Sequence, residues 1–271
     1  MRFPLIAAAA LAATPAFAQG RVVVAGSALC EIVAALGQTG RVVGRDTTCT
    51  HPEAMQALPD VGYLRALSPE GLLSLGPDLI LADHDAGPPE TIALVEATEV
   101  PVIRVSGGFD EAGVFSRIAG VAAALGVDEA PLTAAVQARF AALAEARATA
   151  VPVRTIFVLS AAGGRILASG QATAADGMLH LAGAENAITG FDGYRQLTDE
   201  AIIAAAPEAI VMMDRAGDHA LSDADILAHP ALGLTPAAAA GRVIRMDGVF
   251  LLGFGPRTPD AALALMTGLG G

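Results

Sequence analysis

Two tyrosines occur in this 271-residue chain, Tyr63 and Tyr194, and each follows a glycine and has an arginine close behind it. A free phenol titrates near 10, so its anion forms at neutral pH only beside a cation or a metal. Arg65, two residues past Tyr63, can supply such a charge. The tyrosines also mark a repeat. Residues 61–78 read VGYLRALSPEGLLSLGPD and residues 193–208 read GYRQLTDEAIIAAAPE. Leu67-Ser68-Pro69-Glu70 matches Leu197-Thr198-Asp199-Glu200, and Pro77-Asp78 matches Pro207-Glu208. The second copy has one residue fewer between tyrosine and leucine, and Arg195 is adjacent to Tyr194 rather than two away. Tyr194 therefore reads as a packing residue. Ser68 and Thr198 are expected N-caps, and Glu70 and Glu200 are expected at the third position of the helices that follow, a capping arrangement with the helix dipole in their favour.

All sixteen basic residues are arginine, and the formal charge is −12. Without a basic tract, nucleic acid and anionic membranes are poor partners for such a chain. Each arginine is correspondingly informative. Arg215 follows an apolar run, residues 209–213, where ligands of parallel α/β sheets bind, outside the carboxyl ends of the strands. Arginine's planar fork suits carboxylates. The histidines are His51, His84, His180, His219 and His229. His84 stands between Asp83 and Asp85, but a zinc or manganese site needs about four convergent ligands, and no paired-histidine spacing occurs. His180 is expected to pack against an apolar neighbour. No G-x-S-x-G elbow, zincin motif or Ser-His-Asp set is present, so the chain does not read as an enzyme. Cys30 and Cys49 would lie in the first turn of one helix and in the loop after the second strand. They read as a disulfide or as two buried thiols.

These residues need elements to hold them. Residues 1–18, MRFPLIAAAALAATPAFA, have a positive start, a short apolar core and an Ala-x-Ala site, which predicts a cleaved export signal. The apolar run is shorter than the roughly 20 residues a membrane span needs. Beyond it, short β-branched runs alternate with capped helical stretches and Gly/Pro punctuation, the pattern of a parallel sheet with helices on both faces. The alternation stops at residue 110. Residues 128–149 predict one helix of about 33 Å, with Leu132, Val136, Phe140 and Leu143 on one apolar stripe. Strand-helix rhythm resumes at residue 151. The expected organisation is a signal at 1–18, an N-terminal lobe at 19–109, a connecting helical segment at 110–150 and a C-terminal lobe at 151–271. The fold class is α/β: two Rossmann-like lobes with parallel central sheets, joined by one long α-helix.

Four segments carry a family resemblance: GRVVGRDTTCTHPEAMQALPDVGYLRALSPEGLLSLGPDLILA, SGQATAADGMLHLAGAEN, GYRQLTDEAIIAAAPEAIVMM and LLGFGPRTPDA. Across essentially the whole mature chain the sequence resembles the periplasmic haem-binding proteins of bacterial ABC haem importers. They belong to the substrate-binding proteins whose two lobes are joined by a helix. Cobalamin and ferric-siderophore binders share the scaffold and are the alternative. The resemblance implies periplasmic export, haem b as transported ligand, a monomer without membrane insertion, and no catalytic cofactor. It implies as partners an ABC permease with its ATPase and an outer-membrane haem receptor upstream. It places the axial iron ligand on Tyr63, with Arg65 on the phenol oxygen or a propionate and Arg215 as a further haem contact. Ferric haem takes such a tyrosine ligand in other proteins. It also makes Glu70 and Glu200 the acids that dock on the permease, one per lobe. Arg257, in GFGPRTP, reads as structural or lobe-orienting.

Overall fold

A computed structural model of the chain describes residues 20–214 and 221–270; the expected signal segment, Arg215 and His219 lie outside the described residues. The first lobe runs β1 (Val22–Ala25), α1 (Ser27–Ala35), β2 (Val42–Arg45), α2 (Pro69–Leu73), β3 (Leu79–Asp83), α3 (Pro89–Glu96) and β4 (Val102–Val105). Its four strands are all parallel, in the order β2-β1-β3-β4. The residues of β1, VVVA, are buried throughout, as expected for a central strand covered on both faces.

Two helices follow, α4 (Glu111–Leu125) and α5 (Ala130–Arg147). The Asp110 side chain caps α4 by accepting from the Gly113 amide at 2.7 Å, and Gly126, at φ 66°, ends it in the left-handed region that glycine enters without strain. At 18 residues α5 is shorter than the sequence suggests, because Glu129 and Ala148 remain outside the helix as its caps. The stripe is where expected: Val136, Phe140 and Leu143 are buried and Leu132 packs against the same core.

The second lobe contains β5 (Arg154–Ser160), β6 (Leu167–Ser169), α6 (Ala174–Leu181), β7 (Glu185–Asn186), β8 (Tyr194–Gln196), α7 (Asp199–Ala205) and β9 (Ala209–Asp214). It closes with α8 (Asp223–Leu227), α9 (Pro236–Ala239), β10 (Val243–Asp247), α10 (Gly248–Leu252) and α11 (Thr258–Gly268). β10, β9, β5 and β7 pair in parallel, but β6 is antiparallel to β5 and β8 is antiparallel to β6. This sheet is thus mixed rather than purely parallel. The departure begins at residues 161–166, where Gly163 and Gly164 both take positive φ and turn the chain back as a hairpin.

One core cluster is continuous from β1 and α1 through α4 and α5 to α6 and α11, and each lobe adds a smaller cluster on its outer side. The lobes are also clasped at the residues LLGFGPR. Arg257 pairs with the buried Glu31 of α1 at 2.5 Å and lies 5.0 Å from the Phe250 ring. Phe254 meets Phe109 edge-on at 5.3 Å. A side chain at Gly255 would press on Glu31 and the Ala28 backbone, so glycine lets this loop lie directly on α1. Arg139 of α5 adds a pair with Asp260 of α11 at 2.7 Å.

Candidate ligand site

Tyr63 is presented by a turn fixed on both sides. Gly62 takes φ 107°, a conformation that side chains disfavour; its amide donates to Asp60 and its carbonyl accepts from Thr47. Val61, Leu64 and Leu67 are buried, while Tyr63 and Arg65 point outward and Tyr63 is 46% exposed. The loop after β3 holds the far side: the Gly87 amide donates to the Leu64 carbonyl, and the Leu67 amide to the Gly87 carbonyl, both at 2.9 Å. Tyr63 therefore stands at the carboxyl edge of the first sheet, where β2 and β3 end.

Arg65 Nη1 donates to the Tyr63 hydroxyl at 3.2 Å, and Nη2 donates to Asp85 at 2.9 Å. Burial by itself would lower the Arg65 pKa, but its hydrogen bonds to Tyr63 and Asp85 and their charges prevail, and the group is shifted upward. It stays a cation. Behind this pair, burial raises Asp83 above the usual carboxylate value against the opposing Asp85 amide and Arg117. Arg117 lies 3.9 Å from Asp83 and donates to the carbonyls of Gly107 and Gly108. It thus ties β3 to the loop entering α4.

The opposite wall carries Tyr194 on β8, whose ring meets Phe157 edge-on at 6.4 Å. Burial raises the Tyr194 pKa above 10.0 in spite of the opposing influence of Thr173, the Ala175 amide, the Arg65 charge and Ser169.

The chain is similar to known proteins over most of its length. A model described as periplasmic binding protein matches residues 22–249. The chain belongs to the periplasmic binding protein family. Similar solved structures include the periplasmic haem-binding protein BhuT in complex with two haems, 46% identical, covering 92% of this chain and 97% of that one, TM-score 0.88. Haem-binding protein RhuT from Roseiflexus sp. RS-1, in apo form, is 35% identical over 92% of this chain and 97% of that one, TM-score 0.86. A periplasmic haem-binding protein from Pseudomonas aeruginosa is also 35% identical, covering 91% of each chain, TM-score 0.83. A curated relative, the uncharacterized ABC transporter substrate-binding lipoprotein YvrC of Bacillus subtilis (strain 168), is 27% identical over 68% of this chain and 60% of its own length. The family and these neighbours are substrate-binding proteins of transport systems rather than enzymes.

The other residues singled out in the sequence fall in several places. Glu70 and Glu200 are exposed in the first turns of α2 and α7, capped by Ser68 and Thr198. The third helical positions, which donate to the caps, are Gly71 and Ala201. The acids stand one residue too early to close a reciprocal box, and they face solvent. Hydrogen bonds from its own amide and from Thr198 hold the Glu200 carboxyl below its usual pKa. Cys30 and Cys49 are joined by a disulfide with a Cα–Cα distance of 5.8 Å. Among the described residues the sole cluster with metal-ligand spacing is this pair with Asp46, and its sulfurs are occupied by one another. His180 is a correction: its side chain is 65% exposed, its Nδ1 near the Asp176 carbonyl, because the last turn of α6 rotates it away from the core. Sequence reading missed Asp85 as a partner of Arg65. Its only signal is the Asp-His-Asp run at a strand end, which does not point to an arginine twenty positions earlier.

Proposed function

We propose that this protein carries haem in the cleft between its lobes and delivers it to an ABC transporter, with Tyr63 as the axial ligand to ferric iron. The observation carrying this reading is the Tyr63–Arg65 pair: an exposed phenol on a braced turn, its oxygen already facing a cation. A phenolate is a hard anionic donor suited to Fe(III), and the guanidinium favours that anion. The likeness to haem-binding proteins at 46% and 35% identity over nearly the whole chain supports the same ligand. Arg215, the next residue in sequence after Asp214, is assigned to a propionate on the family resemblance. Glu70 and Glu200, exposed in matching first turns, are assigned to docking on the permease, which an ATPase drives. Delivery from an outer-membrane receptor would precede this step.

Hemin titration followed by absorbance tests the reading. The wild-type protein is expected to show a Soret band and a ferric tyrosinate spectrum that Tyr63→Phe loses. An unchanged spectrum and affinity in that variant, or binding of cyanocobalamin or a ferric siderophore in place of hemin, would overturn it.

A further inference from the structure

We propose that Asp85 is a positioning residue for the ligand tyrosine: it holds Arg65 so that one guanidinium arm stays on the Tyr63 oxygen. This deepens the haem reading and rests on it. Arg65 and Asp85 are both more than half exposed, and an ion pair of that kind contributes little to folding. Its geometry is nevertheless constrained at both ends. Asp85 sits in a turn closed by its own amide on Asp83 Oδ1 at 3.2 Å and by the Ala86 amide on the Asp83 carbonyl at 2.9 Å, with Ala86 buried beneath. That turn leads to Gly87, which exchanges two backbone hydrogen bonds with the segment bearing Tyr63. Arg65 thus spans two points whose separation the backbone sets. A long side chain with this exposure would otherwise sample many rotamers.

The same geometry favours one role for Arg65. One N–H of Nη1 goes to the phenol and one of Nη2 to Asp85, so the guanidinium is oriented toward the iron ligand, and a haem carboxylate would meet only its remaining donors. His84 and Asp83, the neighbours of Asp85 in its turn, do not substitute for it. The His84 carbonyl is occupied by Arg104, and Asp83 faces Arg117.

The test compares Asp85→Asn, Asp85→Glu, Arg65→Ala and the Asp85→Asn/Arg65→Ala double variant in hemin-loaded protein. The readouts are the ferric tyrosinate charge-transfer band and the rate of hemin transfer to excess apomyoglobin. Asp85→Asn is expected to shift the band as Arg65→Ala does and to release hemin about fivefold faster, the scale of one hydrogen bond. Asp85→Glu should keep the wild-type band, and Asp85→Asn should add nothing in the Arg65→Ala background. An Asp85→Asn variant matching wild type, or one equally effective without Arg65, overturns the proposal. If wild-type protein does not bind hemin, or Tyr63→Phe keeps its spectrum, the haem reading fails separately. The tether is then judged in ligand-free protein, where Arg65 guanidinium proton resonances should be resolved in wild type and lost in Asp85→Asn. Their persistence refutes it.

Discussion

Desolvation holds the Tyr194 phenol above its ordinary 10.0 although 36% of the residue remains exposed, and Tyr63 instead has a cation on its oxygen. The raised Tyr194 value ties its charge state to folding. A phenol raised in the folded state contributes stability below pH 10 and loses it as pH climbs through the folded value. In Tyr63→Phe, Tyr194 is the remaining tyrosine, so alkaline absorbance titration should show one step above 10, with denaturant resistance falling across it. A step at or below 10 contradicts the burial argument. Single residues were unevenly readable from sequence. The Tyr63–Arg65 pairing could be read because two positions separate them. Asp85 could not, since it lies twenty positions from Arg65 and tertiary contacts, the backbone bonds at Gly87 among them, bring the turns together. His180 was misjudged because one helical turn decides which side faces water.

At the scale of elements the internal repeat runs deeper than its sequence match. Asp78 accepts from the Arg21 amide at 2.7 Å and Glu208 from the Arg154 amide at 3.0 Å, each at the start of a lobe's central strand. The guanidinium of Arg21 caps the carbonyls of Leu75 and Gly76 beyond α2, and that of Arg154 caps Ala205 of α7. Both lobes therefore lock the capped helix to the central strand through one acid and one arginine. Pro77-Asp78 and Pro207-Glu208 were visible as matching dipeptides, but their partners lie more than fifty residues upstream and carry no local pattern. The antiparallel β8 is illegible for a related reason: GYRQ is too short to announce a strand without its neighbour. The disulfide joins α1 to the loop after β2, closing 19 positions of chain. Loop-closure entropy for that length is about 3 kcal/mol. Replacing both cysteines by alanine should cost about that much in chemical denaturation, and an unchanged midpoint would show that the crosslink constrains nothing.

Across the whole molecule, Arg65 bonds one tyrosine, Tyr63, while the acids of the two capped helices are paired. Glu70 and Glu200 lie exposed on separate lobes, so a partner touching both reads the distance between lobes. Reversing both, Glu70→Arg with Glu200→Arg, is expected to abolish uptake into vesicles carrying the transporter while hemin binding by the free protein is retained. Unimpaired uptake would remove docking from these residues. The lobes themselves meet through α5, through the continuous core and through the clasp of Arg257 on Glu31. That clasp joins residues 226 positions apart. A buried carboxylate without its partner is costly, so Glu31 can be buried at low cost only once the segment bearing Arg257 has docked on α1. The first helix of the described fold thus depends on a residue from its last segment.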